Sequence, residues 1–310
     1  MSTQLKKPKV LVIVGPTASG KTALGVKLAA HFAGEIVSAD SRQVFRGLDI
    51  GTGKDLAEYV LAGRTIPFHL IDVCEPMEEY NLARYQKEAL EAIEKIISKG
   101  NLPLLVGGSG LYLQAVVDGY VLSSVTPDQD ERVQLEKLSV SELYEKLHLL
   151  KPDFAERLNN SDRQNARRLV RYLEISKNQQ SLIPKTEKPA YDFLILSLNP
   201  DDQTMRSRIE KRLVNRLEKE GLVAEVERLL DAGVTLARLN SLGLEYRYLA
   251  WYLQDKIDYE TMVNQLSTAI YRFAKRQKTW FKRWVKQGRE IIEVSDEEEA
   301  MAIVKRWLKN

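Results

Sequence analysis

The sequence predicts an α/β fold: a mostly parallel, phosphate-loop-type sheet with flanking helices, interrupted by an inserted helical subdomain and followed by a helical C-terminal region. Three observations predict it. The apolar run Val-Leu-Val-Ile-Val at 10–14 leads straight into Gly15-Pro16-Thr17-Ala18-Ser19-Gly20-Lys21-Thr22, which fills every fixed place of the phosphate-loop pattern. Buried-strand runs then alternate with segments of helical period, the order of a parallel sheet covered on both faces. That rhythm stops between 120 and 190, and everything after 201 reads helical.

Residues 10–14 are mostly β-branched and lack alternation, as a strand buried on both faces should. In the turn that follows, glycine lets backbone N–H groups converge on a polyphosphate. A helix starting near Lys21 aims its positive end at the same point. Lys21 would neutralise a terminal phosphate, and the Thr22 hydroxyl would hold Mg²⁺. The alternative is a tight strand–helix turn with no ligand.

The first helix should run to about Phe32, stopped by Gly34. Residues 35–38 form a second strand that ends in Ala39-Asp40-Ser41-Arg42-Gln43, a polar cluster at the carboxyl edge where open α/β sheets bind ligands. Gly47, Gly51, Gly53 and Gly63 mark 47–66 as a loop-rich excursion. Residues 68–73 read as a strand, 81–98 as a helix ending at Gly100, and 102–106 as a buried strand running into Gly107-Gly108-Ser109. Helices are expected near 128–138, 141–150 and 162–177, with Ser161 and Gln164 as a capping box for the last. A strand at 191–198 restores the pattern. The core domain is therefore 1–119 with 191–310, and 120–190 is an insertion. Asp201-Asp202 opens the next helix, a long one covers about 259–287, and an acidic turn from Ser295 caps the last.

With 310 residues, 44% hydrophobic, the chain can bury a sizeable core. Cys74 is the only cysteine, which excludes an intrachain disulfide and a cysteine-rich zinc site. No apolar run is long enough for a membrane span or a signal peptide, so no membrane contact and a cytoplasmic location are expected. Residues 1–8, with Lys6, Lys7 and Pro8, read as a loose tail. The net charge of +3 says little; the placement of charge says more.

A phosphate loop by itself says only that a polyphosphate, ATP included, binds. Kinases and hydrolases add a carboxylate after a second buried strand, but the 102–106 strand ends in glycines. Asp72 could serve, yet Asp40 is better placed, as a catalytic acid–base group or as a Mg²⁺-positioning or capping residue. The Ser109 hydroxyl would orient Asp40 or the phosphates, or cap the helix through Tyr112. Arg208 and Arg212 share one face of an arginine-rich helix that also carries Arg206, Lys211 and Arg216. They form either a solvated face or guanidinium partners for a diphosphate. Arg163, Arg167 and Arg171 repeat every four residues on the insertion's last helix, and 271–286 carries seven cations and no acid, with Trp280, Phe281 and Trp284 interleaved. Ile270, Phe273 and Trp280 can face the core while the cations face out. Such basic helices point to RNA phosphates.

The sequence resembles the tRNA dimethylallyltransferase (isopentenyl-tRNA transferase) family. The resemblance rests on the phosphate loop at 15–22, Ser-Ala-Asp-Ser-Arg-Gln at 38–43, Asp49-Ile-Gly-Thr-Gly-Lys54, Leu-Val-Gly-Gly-Ser-Gly-Leu-Tyr at 105–112, Asp162-Arg-Gln-Asn165 with Arg168, and Ala274-Lys-Arg-Gln with Thr279-Trp280. These segments span most of the chain in the family's order. The resemblance implies prenyl transfer from dimethylallyl diphosphate, with Mg²⁺, to the exocyclic amine of the adenosine 3′ to the anticodon of tRNA. The loop would then cradle a leaving diphosphate. By the family pattern Asp40 is the general base, Ser109 lies close to the reacting adenosine, and Ser41, Arg42 and Gln43 touch the tRNA. Arg132, Gln164, Asn165, Ala166, Arg167 and Arg168 look like further tRNA contacts, made by an insertion that clasps the anticodon stem-loop. Arg212, with Arg208, looks like a diphosphate ligand. A monomer is expected. Leu242-Gly-Leu-Glu-Tyr246 departs from the Ile-Gly-Tyr of many relatives, and Ser109 stands where many have Thr. Rival readings are a small-molecule kinase or nucleotide hydrolase, an enzyme prenylating free adenine nucleotides, and a non-catalytic RNA-binding protein.

Overall fold

The computed structural model describes residues 6–123, 125–126, 128–177, 182, 185–187 and 190–310. The chain divides into two compact units, Met1–Val117 with Pro189–Asn310, and Asp118–Lys188. Of the tail expected at 1–8, residues 1–5 lie outside the described residues.

The larger unit is built on six parallel strands: β1 (Lys9–Val14), β2 (Gly34–Ala39), β3 (Phe68–His69), β4 (Leu102–Gly107), β5 (Asp192–Ser197) and β6 (Ile292–Glu293), in the order β6-β5-β1-β4-β2-β3. The unbroken apolar runs have the cause inferred from sequence. Val10, Val12 and Val14 pack with Leu105 and Ile195 against α2 (Leu82–Ser98) and α3 (Gly110–Val117). Leu11 and Ile13 pack on the opposite face with Leu104 and Leu196 against α1 (Lys21–His31) and α14 (Glu297–Lys309), the last helix of the chain. Asn81 caps α2, its side chain accepting from the Arg84 N–H at 3.0 Å, and Asp296 caps α14 in the same way.

A third apolar layer joins Val44, Phe45 and Leu48 to five C-terminal helices: α9 (Asp202–Asn215), α10 (Leu222–Asp231), α11 (Leu236–Leu242), α12 (Leu244–Tyr252) and α13 (Tyr259–Lys286). On α13 the apolar stripe differs from expectation. Phe281 and Trp284 are buried beside the sheet, whereas Phe273 is 40% exposed.

The expected strand at 68–73 is only two residues long. Leu70 and Asp72 adopt positive φ (62° and 56°), which ends the ladder. The chain there turns to another partner. Asp72 N–H donates to the Gln43 carbonyl at 3.1 Å, Val73 N–H to that of Val44 at 2.8 Å, and Asp72 pairs with the buried Lys54 ammonium. Lys54 also donates to Asp49 at 2.8 Å and to the Phe45 carbonyl at 2.6 Å. Asp49–Lys54 is thereby locked as one loop, and Asp72 is occupied as its counter-ion.

The smaller unit consists of α4 (Gln129–Glu136), α5 (Val140–Leu150), α6 (Pro152–Arg157), α7 (Asn160–Arg163) and α8 (Ala166–Lys177), with Tyr120–Val121 paired antiparallel to Lys185–Thr186. Leu143, Leu147, Ala155, Leu169 and Leu173 form its core. The capping box expected at Ser161 and Gln164 is absent. Ser161 lies inside the four-residue α7, Asn159 caps that helix, and the Asn165 side chain caps α8 by accepting from the Arg168 N–H at 3.2 Å. A capping box does form at the start of α5, between Ser139 and Glu142. Arg163 therefore sits on a different helix from Arg167 and Arg171.

Candidate active site

Strand order creates the site. β4 lies between β1 and β2, with Val14 and Ala39 both in register with Gly107. The phosphate loop after β1, Gly108-Ser109 after β4 and Asp40 after β2 thus emerge side by side at the carboxyl edge, as expected for a parallel sheet. The approach is close enough that a Cβ on Gly107 would overlap the Ala39 carbonyl oxygen.

The phosphate loop turns through left-handed backbone at Ala18 and Gly20 (φ 61° and 92°) before α1 begins at Lys21. The Thr17 N–H donates to Gln277 Oε1 at 2.8 Å, while Gln277 Nε2 donates to the Gly108 carbonyl at 2.9 Å. One buried α13 amide therefore ties the β1 and β4 tips together. Arg208 reaches the loop from α9, with Nη1 3.4 Å from the carbonyls of Ala18 and Ser19. Gly15, Pro16, Ala18, Ser19 and Gly20 form the loop itself, and the Ser19 hydroxyl is buried without a hydrogen-bond partner among the described residues.

A cavity of about 380 Å³ opens over this edge. Thr17, Lys21, Thr22, Asp40, Ser41, Arg42, Gln43, Ser109 and Arg212 all line it, so most residues singled out in the sequence of this unit converge. Asp40 Oδ1 accepts from the Arg42 N–H at 2.9 Å. The Ser109 hydroxyl accepts from the Ser41 N–H at 3.1 Å, and the Ser109 N–H donates to the Ala39 carbonyl at 3.2 Å. Ser109 thus braces both neighbours of Asp40 instead of capping α3 with its side chain. Gln43 accepts from the Ser38 hydroxyl at 3.2 Å and donates to the Gly53 carbonyl at 3.1 Å, which links Asp49–Lys54 to the β2 tip.

Burial pushes the Lys21 pKa down, as does Arg212, and the carboxylates of Asp40 and Glu58 pull it back up. Arg216, four residues beyond Arg212, lies in the same wall, and burial and Arg212 lower its pKa. The sequence carried its signal, since 208, 212 and 216 fall on one helical face. Glu245, in the divergent 242–246 segment, faces the cavity too, its carboxyl raised by burial against the pull of Arg216. Phe273 and Arg276 complete that wall, with the guanidinium 5.7 Å from the ring centre.

One residue beyond sequence reasoning shapes the wall. Glu225, buried on α10, accepts the N–H groups of Asp49, Ile50 and Gly51 at 3.0, 2.7 and 3.0 Å and the Tyr246 hydroxyl at 2.8 Å. A lone Glu in an amphipathic helix gives no hint of such a role.

Among the oxygen donors of the cavity, Thr22 follows the phosphate loop and Asp40 ends β2, and the same wall carries Lys21, Arg42, Arg212, Arg216 and Arg276. Such a set fits Mg²⁺ that arrives with a diphosphate and keeps its phosphate oxygens and waters as ligands.

In the smaller unit, the Arg132 guanidinium closes on buried Glu174 with hydrogen bonds of 2.8 and 3.1 Å, and Arg171 joins the same carboxylate at 2.9 Å. Arg168 pairs with Asp162, and Arg167 is exposed. Gln164 ends α7, Asn165 caps α8 and Ala166 opens it.

The family model described as IPP transferase matches residues 43–284. The chain belongs to the IPP transferase family. Among its relatives, a tRNA dimethylallyltransferase 2 of Bacteroides fragilis (strain ATCC 25285) is 42% identical over 310 residues, covering 97% of this chain and 98% of that protein. The IPP transferase fold is shared with the full-length tRNA isopentenylpyrophosphate transferase of Bacillus halodurans at a TM-score of 0.69 and 32% identity, over 98% of this chain and 96% of that one. A eukaryotic dimethylallyltransferase acting on tRNA matches at a TM-score of 0.80 and 26% identity, over 98% and 80% of the respective chains. Among the described residues, no helix of this chain is long and apolar enough to cross a membrane.

Proposed function

We propose that this chain transfers the dimethylallyl group of dimethylallyl diphosphate to the exocyclic amine of the adenosine 3′ to the anticodon in tRNA, releasing diphosphate. The observation carrying the proposal is the single sheet edge that holds a phosphate loop and, across one intervening strand, an acid with hydrogen-bonded neighbours. Family membership supports the same chemistry.

In this reaction the amine nitrogen attacks the allylic carbon, the carbon–oxygen bond breaks, and its electron pair leaves on the diphosphate. Asp40 takes the amine proton, a contribution of about 10²–10⁴-fold in rate for a positioned base. Lys21, Arg212 and the loop N–H groups receive the negative charge that develops on the leaving group. Arg208 holds the loop from behind through its carbonyls. Mg²⁺ held by Thr22 and the diphosphate would add charge neutralisation to that end of the site. Glycine and lysine in the loop then serve a departing diphosphate, which explains why no hydrolase-type acid follows β4.

Ser41 and Arg42 would meet the RNA next to Asp40, with Gln43 shaping the same wall. Gln164, Asn165, Ala166, Arg167 and Arg168 would contact the anticodon stem-loop from the smaller unit, where Arg132 acts through its pairing with Glu174. A cytoplasmic, monomeric enzyme fits this reading.

Incubation with tRNA, Mg²⁺ and dimethylallyl diphosphate, followed by nuclease digestion and mass spectrometry, tests it. Prenyl-adenosine in the digest is expected. Its absence with folded protein, together with phosphate release from ATP alone, would replace it with a kinase or hydrolase.

A further inference from the structure

The segment from Gly53 to Tyr59 places acids beside the arginines that line the diphosphate cavity. Asp55 Oδ2 accepts from Arg212 Nη2 at 2.9 Å, and Asp55 itself stands at an uncommon backbone angle (φ 15°) as it enters the short 3₁₀ turn Leu56–Tyr59. Glu58, on that turn, interacts with Arg212, Lys21 and Arg216 together, and its carboxyl is raised by burial and by Asp55. Gly53 carries no side chain where a Cβ would overlap the Arg216 guanidinium, so the backbone lies flat against the arginines. Arg212 and Arg216 line both the cavity and an outer groove, and Asp55 lines only the groove. The ion pair is 40% exposed on the Arg212 side and 38% on the Asp55 side, so it is weak enough to open.

We propose that Asp55, with Glu58 beside it, is an intramolecular competitor for the diphosphate, holding Arg212 on the groove side when no diphosphate is bound and recapturing it as the product leaves. The inference rests on the reading of Arg212 as a diphosphate ligand. It assigns Asp55 a role that no phosphate-binding pattern contains. An anion fixed in the protein lowers the affinity of the site for both donor and product, and lower product affinity hastens release. Removing it should tighten binding, an effect opposite in sign to damage.

The test is calorimetric titration of inorganic pyrophosphate with Mg²⁺ into the full chain and into Asp55→Asn, Asp55→Glu, Arg212→Ala and the Asp55→Asn/Arg212→Ala double variant. Asp55→Asn should bind pyrophosphate about two- to fivefold more tightly, the worth of a half-exposed ion pair. Asp55→Glu should stay near the parent, and the gain should vanish in the double variant. Unchanged or weaker binding in Asp55→Asn, alongside a clear loss in Arg212→Ala, would overturn the competitor role and leave the diphosphate site standing. Unchanged binding in Arg212→Ala would remove Arg212 from that site, and the competitor with it.

Discussion

The Ser109 hydroxyl accepts the Ser41 N–H at 3.1 Å, a side-chain clasp between the tips of β4 and β2 one residue away from Asp40. Its neighbour bond, from the Ser109 N–H to the Ala39 carbonyl, closes on the other side of Asp40. The acid is therefore held by backbone that a single hydroxyl on another strand keeps in place. Ser109→Ala removes the acceptor and leaves the Ser41 N–H unpaired, a loss of about 1–2 kcal/mol, which corresponds to roughly tenfold in turnover if it falls on the reacting geometry. Ser109→Thr keeps the hydroxyl and should stay within about threefold of the parent. Steady-state kcat on tRNA reads both.

Asp40 itself faces the cavity and uses Oδ1 to accept the Arg42 N–H, which leaves Oδ2 for a substrate proton. Asp40→Ala should lower single-turnover prenyl transfer by about 10²–10⁴-fold. Binding of tRNA, followed by fluorescence anisotropy, should change by less than about fivefold, because a base contributes mainly in the transition state. Near-parental turnover in this variant would take the proton-acceptor role away from Asp40.

Arg167 and Arg168 lie in the first turn of α8, and Arg167 is exposed. Reversing both to Glu should weaken tRNA binding by at least about tenfold at moderate salt and flatten the salt dependence, since each lost phosphate contact removes close to one unit of slope. Pyrophosphate affinity should not move. If both ligands weaken together, the helix is serving the fold and not the RNA. Arg132 and Arg171 are poorer choices for this experiment, because Glu174 ties them into the unit's interior and their loss would leave a buried carboxylate unpaired.

How much was legible in the sequence depended on how local each cause was. The phosphate loop, the polar end of β2 and the Gly-Gly-Ser after β4 announce themselves because backbone conformation and strand ends are encoded within a few residues. Strand order is not local, yet it decides that Ser109 serves Asp40. The shortened strand at Phe68–His69 is not legible because the chain leaves the ladder at positive φ in Leu70 and Asp72, and Asp72 pairs with a partner distant in sequence, Lys54. The expected box at Ser161 and Gln164 failed for a related reason: asparagines at 159 and 165 cap two separate helices where one was read. Helical spacing allows Phe273 to face the core, whereas the cavity takes up that part of the α13 face.

Glu225 makes the clearest case of a distant cause. Its buried carboxylate accepts three consecutive backbone N–H groups of the Asp49–Lys54 loop and the Tyr246 hydroxyl. Glu225→Ala strands those donors and should destabilise the protein by about 3 kcal/mol or more, measured by urea unfolding. Glu225→Gln, which keeps one acceptor oxygen, should lose less. The order Gln above Ala in midpoint is the expected outcome; equal stability of parent and Ala variant would contradict the bonding described.

Glu35 lies at the opposite end of β2 from Asp40 and predicts an acid-range effect separate from catalysis. Burial works to raise its pKa, but hydrogen bonds from Lys99, His69 and Asn101 overcome it and bring the carboxyl to about 2. In the unfolded chain the same group titrates near the ordinary glutamate value of about 4.3. The folded state thus binds the Glu35 proton less readily than the unfolded state. Its contribution to stability is fully present above about pH 5 and is lost as the pH falls through the unfolded value towards 2. Glu35→Gln should flatten that part of the stability–pH curve, and its stability deficit should be largest near neutrality and shrink in acid. Urea midpoints recorded from pH 7 down to about 3 in both proteins provide the comparison, and parallel curves would mean that the Lys99–Glu35–His69 cluster carries no such linkage.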